Sequence, residues 1–277
     1  VGTGMTNYYI RNPKEVIDLI KEVKPTIMCA VPRFYEKTYA GVWEAIGKSS
    51  SLKHKIFRWA IGKGEKRIGF ELAGRKVPFL LGLSNRLAEV LVFKKGRSVL
   101  GGNIRFMPCA GAALSEDIIR FFHAVGIDIK YGYGLSETTA TVSCYTDGPF
   151  KLGSVGRVMP GLQVKIGENS EILVKGPTVM SGYYKKPEAT EAVFDDGWFR
   201  TGDLGSFDKN MNLYIRGRLK NMIVGSSGEN IYPEEIESVI NNFRFVVESL
   251  VVQQKGRLVA YVHMNMEELE KKYQGMK

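Results

Sequence analysis

Histidine and cysteine are scarce in this chain, three of each in 277 residues. Cys29, Cys109 and Cys144 form no C-x-x-C pair and share no metal-like spacing, which argues against a cysteine metal site or a disulfide framework. They are read as reduced thiols of a cytoplasmic protein, each a small buried hydrophobe. His54 sits in a basic stretch and His123 on an expected amphipathic helix; His263 is far from both, and His54 and His123 are read as non-catalytic. Long apolar runs are also missing. The longest, around Phe79–Leu83, follows Pro78 and is far short of the roughly 20 residues that span a bilayer. No signal peptide is visible, the first residue is not Met, and the chain reads as a fragment of a longer protein. Internal repeats and low-complexity tracts are lacking too.

What the chain has in excess is positive charge, 39 Lys and Arg against 29 Asp and Glu, for a net +10. Much of it falls in residues 48–97, where basic residues interleave with Phe57, Trp59 and Phe70. Such helices can meet nucleic acid or an anionic membrane. A solvated helix face is the preferred reading: no nucleic-acid partner, with peripheral membrane contact left open. The remaining composition, 44% hydrophobic and 25% charged, is that of a globular protein long enough to bury a sizeable core in two domains.

Residues 1–140 alternate helix and strand. Asn12-Pro13-Lys14-Glu15 has the form of a helix start, with Asn as N-cap, Pro in the first turn and Glu at the capping-box position. Helices are expected at 33–47, 51–73 and 83–95, and another after Ser115. Strands are expected at 26–31, 104–108 and 127–130, the first as a buried run. The alternation implies an α/β fold with a mostly parallel, helix-covered sheet. After about 150 short strands dominate, at 163–166, 171–174 and 213–215, separated by Gly and Asp/Asn turns and interrupted by a short helix at 187–192. This reads as a small antiparallel or barrel-like subdomain. From about 218 a third texture follows, with a strand at 222–224, a helix from Pro233 to 242, and strands at 246–253 and 257–264. The expected division is 1–217, with 1–150 α/β and 151–217 β-rich, against a partial α+β domain at 218–277.

The richest segment is Tyr131-Gly132-Tyr133-Gly134-Leu135-Ser136-Glu137-Thr138. Glycines let backbone N–H groups approach a ligand. An aromatic ring can stack on a base, a hydroxyl can bond a phosphate, and a carboxylate can hold Mg²⁺. The octet therefore suggests a site for a purine nucleotide and its metal, with a plain structural turn as the alternative. Two small-residue segments, 109–113 and 132–134, fall at the carboxyl ends of expected strands, where ligands sit in parallel sheets.

Taken with Val31-Pro32-Arg33-Phe34-Tyr35-Glu36-Lys37, Gly111-Ala112-Ala113-Leu114-Ser115, Gly197-Trp198-Phe199-Arg200-Thr201-Gly202-Asp203-Leu204-Gly205, Gly217-Arg218-Leu219-Lys220-Asn221-Met222-Ile223 and the segment Gly228–Glu237, the octet resembles the acyl-adenylate-forming superfamily, most of all bacterial long-chain fatty acid–CoA ligases. These segments follow the family's order and span nearly the whole chain. The resemblance implies a two-step reaction. A fatty carboxylate attacks the α-phosphate of ATP to give acyl-AMP and pyrophosphate; the thiol of CoA then displaces AMP. ATP, CoA and Mg²⁺ are the implied cofactors; ATP/AMP, a fatty acid and coenzyme A are the implied partners.

By the same resemblance Tyr133 stacks on adenine, with the backbone of Gly111 and Ala112 along the other side of the base and Gly134 beside it. Ser136, where the family usually has Thr, bonds the α-phosphate, and Glu137 holds Mg²⁺. Asp203 takes the ribose hydroxyls, Arg218 contacts the nucleotide, Lys220 is the hinge of a mobile C-terminal domain, and Gly228 admits the pantetheine arm. Taken singly, each has a plainer reading: a core ring for Tyr133, a turn Asp for Asp203, a surface ion pair for Arg218, a surface lysine for Lys220, a turn glycine for Gly228. Gly126, Val155, Gly156 and the residues after Thr138 are expected to border the acyl tunnel.

Two family elements have no counterpart here: the Ser/Thr/Gly-rich phosphate loop, expected upstream of Val1, and the adenylation lysine, expected beyond Lys277. The piece alone is therefore expected to be inactive in adenylation. Two further classes stay open: a non-catalytic nucleotide-binding module and a basic surface-binding protein. So does an adenylating enzyme for another carboxylic acid.

Overall fold

The computed structural model describes residues 4–12, 15–139, 141–148, 150–225, 227–241, 243 and 245–273. They group into two units, one of residues 1–112, 116–132 and 145–152, the other of 113–115, 133–144 and 153–277.

In the first unit α1 (Val16–Val23) ends where Lys24 turns into the left-handed region (φ 47°) and its N–H bonds Ile20 O at 3.0 Å, just before Pro25. Its start differs from expectation. Glu15, not Asn12, is the N-cap, and Asn12 Nδ2 donates to Glu15 Oε1 at 3.4 Å; Pro13 and Lys14 lie outside the described residues. α2 (Pro32–Gly47) begins on Pro32, where a missing N–H costs nothing. α3 (Ser51–Leu72) and α4 (Phe79–Ala88) follow, and α4 runs through a π-turn at Glu89–Phe93 into α5 (Lys94–Ser98). The helix expected at 83–95 thus starts four residues earlier, because Pro78 serves as its N-cap and leaves Phe79 free to begin it.

β1 (Phe106–Cys109), α6 (Glu116–Ala124) and β2 (Asp128–Tyr133) complete the unit, except that Tyr133 itself groups with the second. β1 and β2 are parallel, with Cys109 opposite Tyr131. α6 buries Ile118, Ile119, Phe121 and Phe122, each stabilising by about 1.5–3 kcal/mol. Phe121 and Phe122 meet Tyr39 and Tyr35 edge to face, with centroids 5.0 and 5.3 Å apart. Tyr35, fully buried, donates to the carbonyls of Met107 and Pro108 (both 3.3 Å), tying α2 to β1.

The buried strand expected at 26–31 is reduced to two parallel bridges, Ile27 to Phe106 and Ala30 to Cys109. Among the described residues only one side of this segment pairs, and Val31 is exposed. The same geometry leaves Cys29 exposed rather than buried, whereas Cys109 is buried and Cys144 half-buried. Burial pushes the Cys109 thiol up to about 12, so it stays protonated and inert.

In the second unit β3 (Ser143–Cys144) and β4 (Arg157–Val158) pair antiparallel. Next come β5 (Gln163–Ile166), β6 (Glu171–Lys175), α7 (Pro187–Glu191), β7 (Phe194–Asp195), β8 (Trp198–Phe207) and β9 (Leu213–Arg218). The strands form one antiparallel sheet in the order β5-β6-β8-β7, with β9 also on β8, curled into a half-barrel. Register shifts between Glu171 and Leu173 and between Leu204 and Gly205 add twist. The hairpin β10 (Ile223–Val224) and β11 (Asn230–Ile231), the helix α8 (Pro233–Ile240), the hairpin β12 (Val246–Gln254) and β13 (Arg257–Met264), and α9 (Met266–Tyr273) close the chain. α8 is held to β12 by the Val251 N–H, which bonds Glu237 Oε1 at 2.7 Å.

β8 is the longest of the strands that sequence reasoning missed; the two-residue strands β3, β4, β7 and β11 were missed as well. β8 holds ten residues and pairs with β6, β7 and β9. Gly202, Asp203 and Gly205 mark it as a turn by composition. Gly205 is there for space: a Cβ would lie 2.4 Å from Tyr214 O and 2.7 Å from Ile172 Cδ1.

Candidate nucleotide site

Asp203 stands at the centre of the second unit's polar cluster. It is 5% exposed and sits opposite Arg218 across the β8–β9 ladder. The Tyr133 hydroxyl donates to Asp203 Oδ2 at 2.5 Å, and Arg218 Nε bonds Oδ1 at 2.7 Å. Thr201 fixes the strand beneath: its hydroxyl donates to Ile172 O (2.8 Å) and accepts from the Asp203 N–H (3.0 Å). Burial holds the Asp203 carboxyl above the usual range. The Tyr133 hydrogen bond and Arg218 oppose that shift, and the nearby carboxylates Glu234 and Glu137 add to it. Glu234 Oε2 is itself buried without a partner among the described residues. Burial, then Asp203, also push the Tyr133 phenol up, so it remains a donor. A carboxylate offers about four lone-pair sites. Among the described residues two are taken, leaving two acceptors.

The octet folds around a short turn. Leu135 N–H donates to Thr138 Oγ1 (3.0 Å), and that hydroxyl donates back to Leu135 O (3.1 Å). Thr138 is fully buried, so it serves the turn itself. Ser136 is exposed and Glu137 half-buried. Tyr183 donates its hydroxyl to Glu137 Oε1 at 3.0 Å, and the Met180 N–H bonds the Glu137 carbonyl at 2.7 Å. Glu137 and Arg218 border a cleft of about 450 Å³ together with Tyr183, Glu171, Arg200 and Gly202. Glu171, buried, accepts from Arg200 (Nε 3.1 Å, Nη2 3.0 Å) and from the Gly202 N–H (3.0 Å).

Sequence reasoning did not single out Tyr183, Glu171, Arg200 or Thr201 as parts of a site. Thr201 and Arg200 lay inside a quoted motif; Tyr183 and Glu171 carried no signal beyond a Gly-Tyr-Tyr run and a strand start.

Of the expected site residues, Tyr133, Asp203 and Arg218 form one hydrogen-bonded chain. Ser136 and Glu137 follow Gly134 in the turn beside the cleft. Lys220 is exposed in the 3₁₀ turn Leu219–Asn221 directly after β9, and Asn221 Nδ2 bonds Glu234 Oε1 at 2.7 Å. Gly228, with φ 86°, is in the turn between β10 and β11. Gly111 and Ala112 belong to the first unit, beyond the end of β1; Gly111 has φ 97°, and Ala112 O accepts from the Tyr131 hydroxyl at 3.2 Å. Among the described residues no three His, Cys, Asp or Glu side chains gather as a metal cage. His123 is a packing residue: its Nε2 accepts the Ile129 N–H at 3.3 Å.

A sequence model of the AMP-binding enzyme family matches residues 1–184. The chain belongs to the AMP-binding enzyme family. The long-chain-fatty-acid–CoA ligase FadD15 of Mycobacterium bovis is 35% identical over 240 residues, 86% of this chain and 39% of that protein. The peroxisomal long chain acyl-CoA synthetase 7 of Arabidopsis thaliana is 32% identical over 266 residues, 90% of this chain and 37% of that protein. The chain thus spans about two-fifths of the length of the curated relatives it matches. Among solved structures, an ATP-bound RpMatB–BxBclM chimera is 26% identical with a TM-score of 0.61, covering 92% of this chain and 43% of that one. The O-succinylbenzoate coenzyme A synthetase of Bacillus subtilis, solved with ATP and magnesium, is 24% identical with a TM-score of 0.61 over 91% of this chain and 44% of that one, and shows the shared fold. Both the mixed α/β architecture and the family expected from the sequence are borne out. Among the described residues no helix is long and apolar enough to cross a membrane.

Proposed function

We propose that this AMP-binding chain is the nucleotide-holding part of an ATP-dependent, AMP-forming long-chain fatty acid–CoA ligase. The carrying observation is the chain Tyr133–Asp203–Arg218, which presents an aromatic ring, a carboxylate with two open acceptor sites and a guanidinium at one place. A carboxylate accepting from both hydroxyls of a ribose is the arrangement that dinucleotide folds also use. The Tyr133 ring takes adenine, with the Gly134 backbone beside the nucleotide. The exposed Ser136 hydroxyl donates to the α-phosphate.

Glu137 fits a Mg²⁺ role. Tyr183 occupies one of its oxygens and orients it at the cleft rim, and Mg²⁺ takes one or two carboxylates plus phosphate and water. When bound, the ion offsets charge on the phosphates. This chain's residues position and polarise; the fatty carboxylate then attacks phosphorus, breaking the bond to pyrophosphate and forming the mixed anhydride. Thiol attack next forms the thioester and releases AMP. The domain division at 217/218, the hinge at Lys220, passage of CoA past Gly228, and a cytoplasmic location with peripheral contact to an anionic membrane through residues 48–97 complete the proposal.

The test is thioester formation from ATP, palmitate and CoA by the full-length protein, with AMP binding measured in parallel. Asp203→Ala abolishes both if the reading is right. AMP binding lost with Asp203 in a protein that never makes thioester would favour a non-catalytic nucleotide module. Thioester made from another acid but not from palmitate would favour a different carboxylic substrate.

A further inference from the structure

β8 does not pair evenly with β6. Glu171 lies opposite Leu204 and Leu173 opposite Arg200, so Ile172 alone faces Thr201, Gly202 and Asp203. Such a bulge re-aims the side chains it carries and takes backbone groups out of the ladder. Gly202 makes it possible, with φ 69° in the left-handed region that favours glycine. Asp203, the proposed ribose acceptor, is the last residue of the bulge. Its direction is therefore set by whatever holds the bulge in shape.

Two side chains hold it. The Gly202 N–H bonds Glu171 Oε1 at 3.0 Å, and the Asp203 N–H bonds Thr201 Oγ1 at 3.0 Å. The Thr201 hydroxyl in turn donates to Ile172 O at 2.8 Å, which ties the bulge back to β6. The second oxygen of Glu171 accepts from Arg200 Nε and Nη2 at 3.1 and 3.0 Å. The Glu171 carbonyl is itself pinned by the Gly167 N–H at 2.8 Å. Stability alone is a poor reason for this carboxylate. Its side chain is 7% exposed, and an apolar side chain of similar volume in place of a buried ion pair is often neutral or stabilising. What an apolar side chain lacks is two acceptors aimed at two donors. Glutamine lacks them as well: its one oxygen serves Gly202 or Arg200, and its NH₂ then faces the other donor.

We propose that Glu171 and Thr201 are positioning residues of the nucleotide site. They fix the Thr201–Asp203 bulge in the shape that lets the Asp203 carboxylate accept from both ribose hydroxyls. Neither residue needs to touch the nucleotide. The inference rests on the reading of Asp203 as the ribose acceptor and adds what aims that acceptor. A carboxylate displaced by a relaxed bulge no longer meets two hydroxyls of fixed separation.

The experiment measures binding of AMP, and of dideoxy-AMP lacking both ribose hydroxyls, to the full-length protein by calorimetry. The ratio of the two affinities reads the ribose contact and is blind to a general loss of folded protein or of adenine binding. Wild type is expected to favour AMP. In Glu171→Gln the ratio is expected to fall about threefold to tenfold, the effect of one displaced hydrogen bond, with dideoxy-AMP affinity little changed. The same substitution on top of Asp203→Asn lowers the ratio no further, because its effect passes through that carboxylate. Thr201→Val lowers the ratio too, and Thr201→Ser, which keeps the hydroxyl, retains it. If Glu171→Gln does not fold, the Thr201 pair decides by the same ratio. A ratio within about twofold of wild type in the folded variants, or equal weakening of both nucleotides, overturns the proposal and leaves Asp203 as the ribose acceptor. A wild-type protein that binds the two nucleotides alike overturns the ribose reading and this inference together.

Discussion

Asp203→Asn isolates what the carboxylate does from what its packing does. Asparagine keeps the volume and one acceptor. Its oxygen can still take Arg218 Nε, now 2.7 Å from Asp203 Oδ1, and its amide can donate to the Tyr133 oxygen that now donates to Oδ2. The Thr201 contact to the Asp203 N–H is backbone and persists. Two opposing changes act on stability: charge-assisted hydrogen bonds weaken, and the cost of burying a charge beside Glu234 and Glu137 disappears. The melting midpoint should move little. Nucleotide binding is different, because an amide cannot accept from both ribose hydroxyls. Losing one hydrogen bond to a charged acceptor costs about 1.5–3 kcal/mol, so AMP affinity should fall about 10–150-fold. Titration calorimetry with AMP, alongside a thermal melt, measures both. The carboxyl is held above its usual range by burial, so it takes a proton at higher pH than an ordinary aspartate. AMP affinity of the wild type should therefore decline earlier on acidification, and that pH dependence should vanish in the variant. AMP affinity within about threefold of wild type in a folded variant would refute Asp203 as the ribose acceptor.

Further outcomes follow from other sites. Burial, opposed by Asp128 and the Ile129 contact, pushes the His123 pKa from 6.5 down to about 4. A depressed histidine adds stability above its unfolded value that is lost as pH falls, so unfolding free energy should drop by about 2 kcal/mol between pH 7 and 5; urea midpoints that stay level, or that match those of His123→Gln, would contradict this. Gly205→Ala places a methyl against Tyr214 O and the Ile172 side chain and should destabilise by about 3 kcal/mol or more; a midpoint equal to wild type would mean the sheet yields easily there. Glu137→Gln keeps the Tyr183 contact but removes the charge. In the full-length protein it should raise the Mg²⁺ needed for half-maximal adenylate formation about tenfold or more, with AMP affinity little changed; an unaltered Mg²⁺ titration would sink the metal role.

The first unit's helices were legible because their apolar residues recur at helical spacing and their ends carry punctuation: Pro32 opens one, Pro25 follows another. The parallel pair was legible from two short apolar runs. The segment at 26–31 has the same look, yet it pairs on one side only and leaves Val31 and Cys29 in solvent, because exposure depends on what lies across from a strand and not on its composition. β8 shows the converse. Its glycines and aspartate read as a turn, while close packing against Tyr214 and Ile172 makes a strand that only a glycine at 205 permits.

The sequence by itself determined the order of the helices and of most of the longer strands, and the family, since these rest on local spacing and on motifs in fixed order. Only the tertiary structure decided that Tyr133, Asp203 and Arg218 share one hydrogen-bonded chain and that Tyr183 orients Glu137. Each of these joins residues far apart along the chain. Local pattern specifies the elements; packing alone specifies which side chains meet.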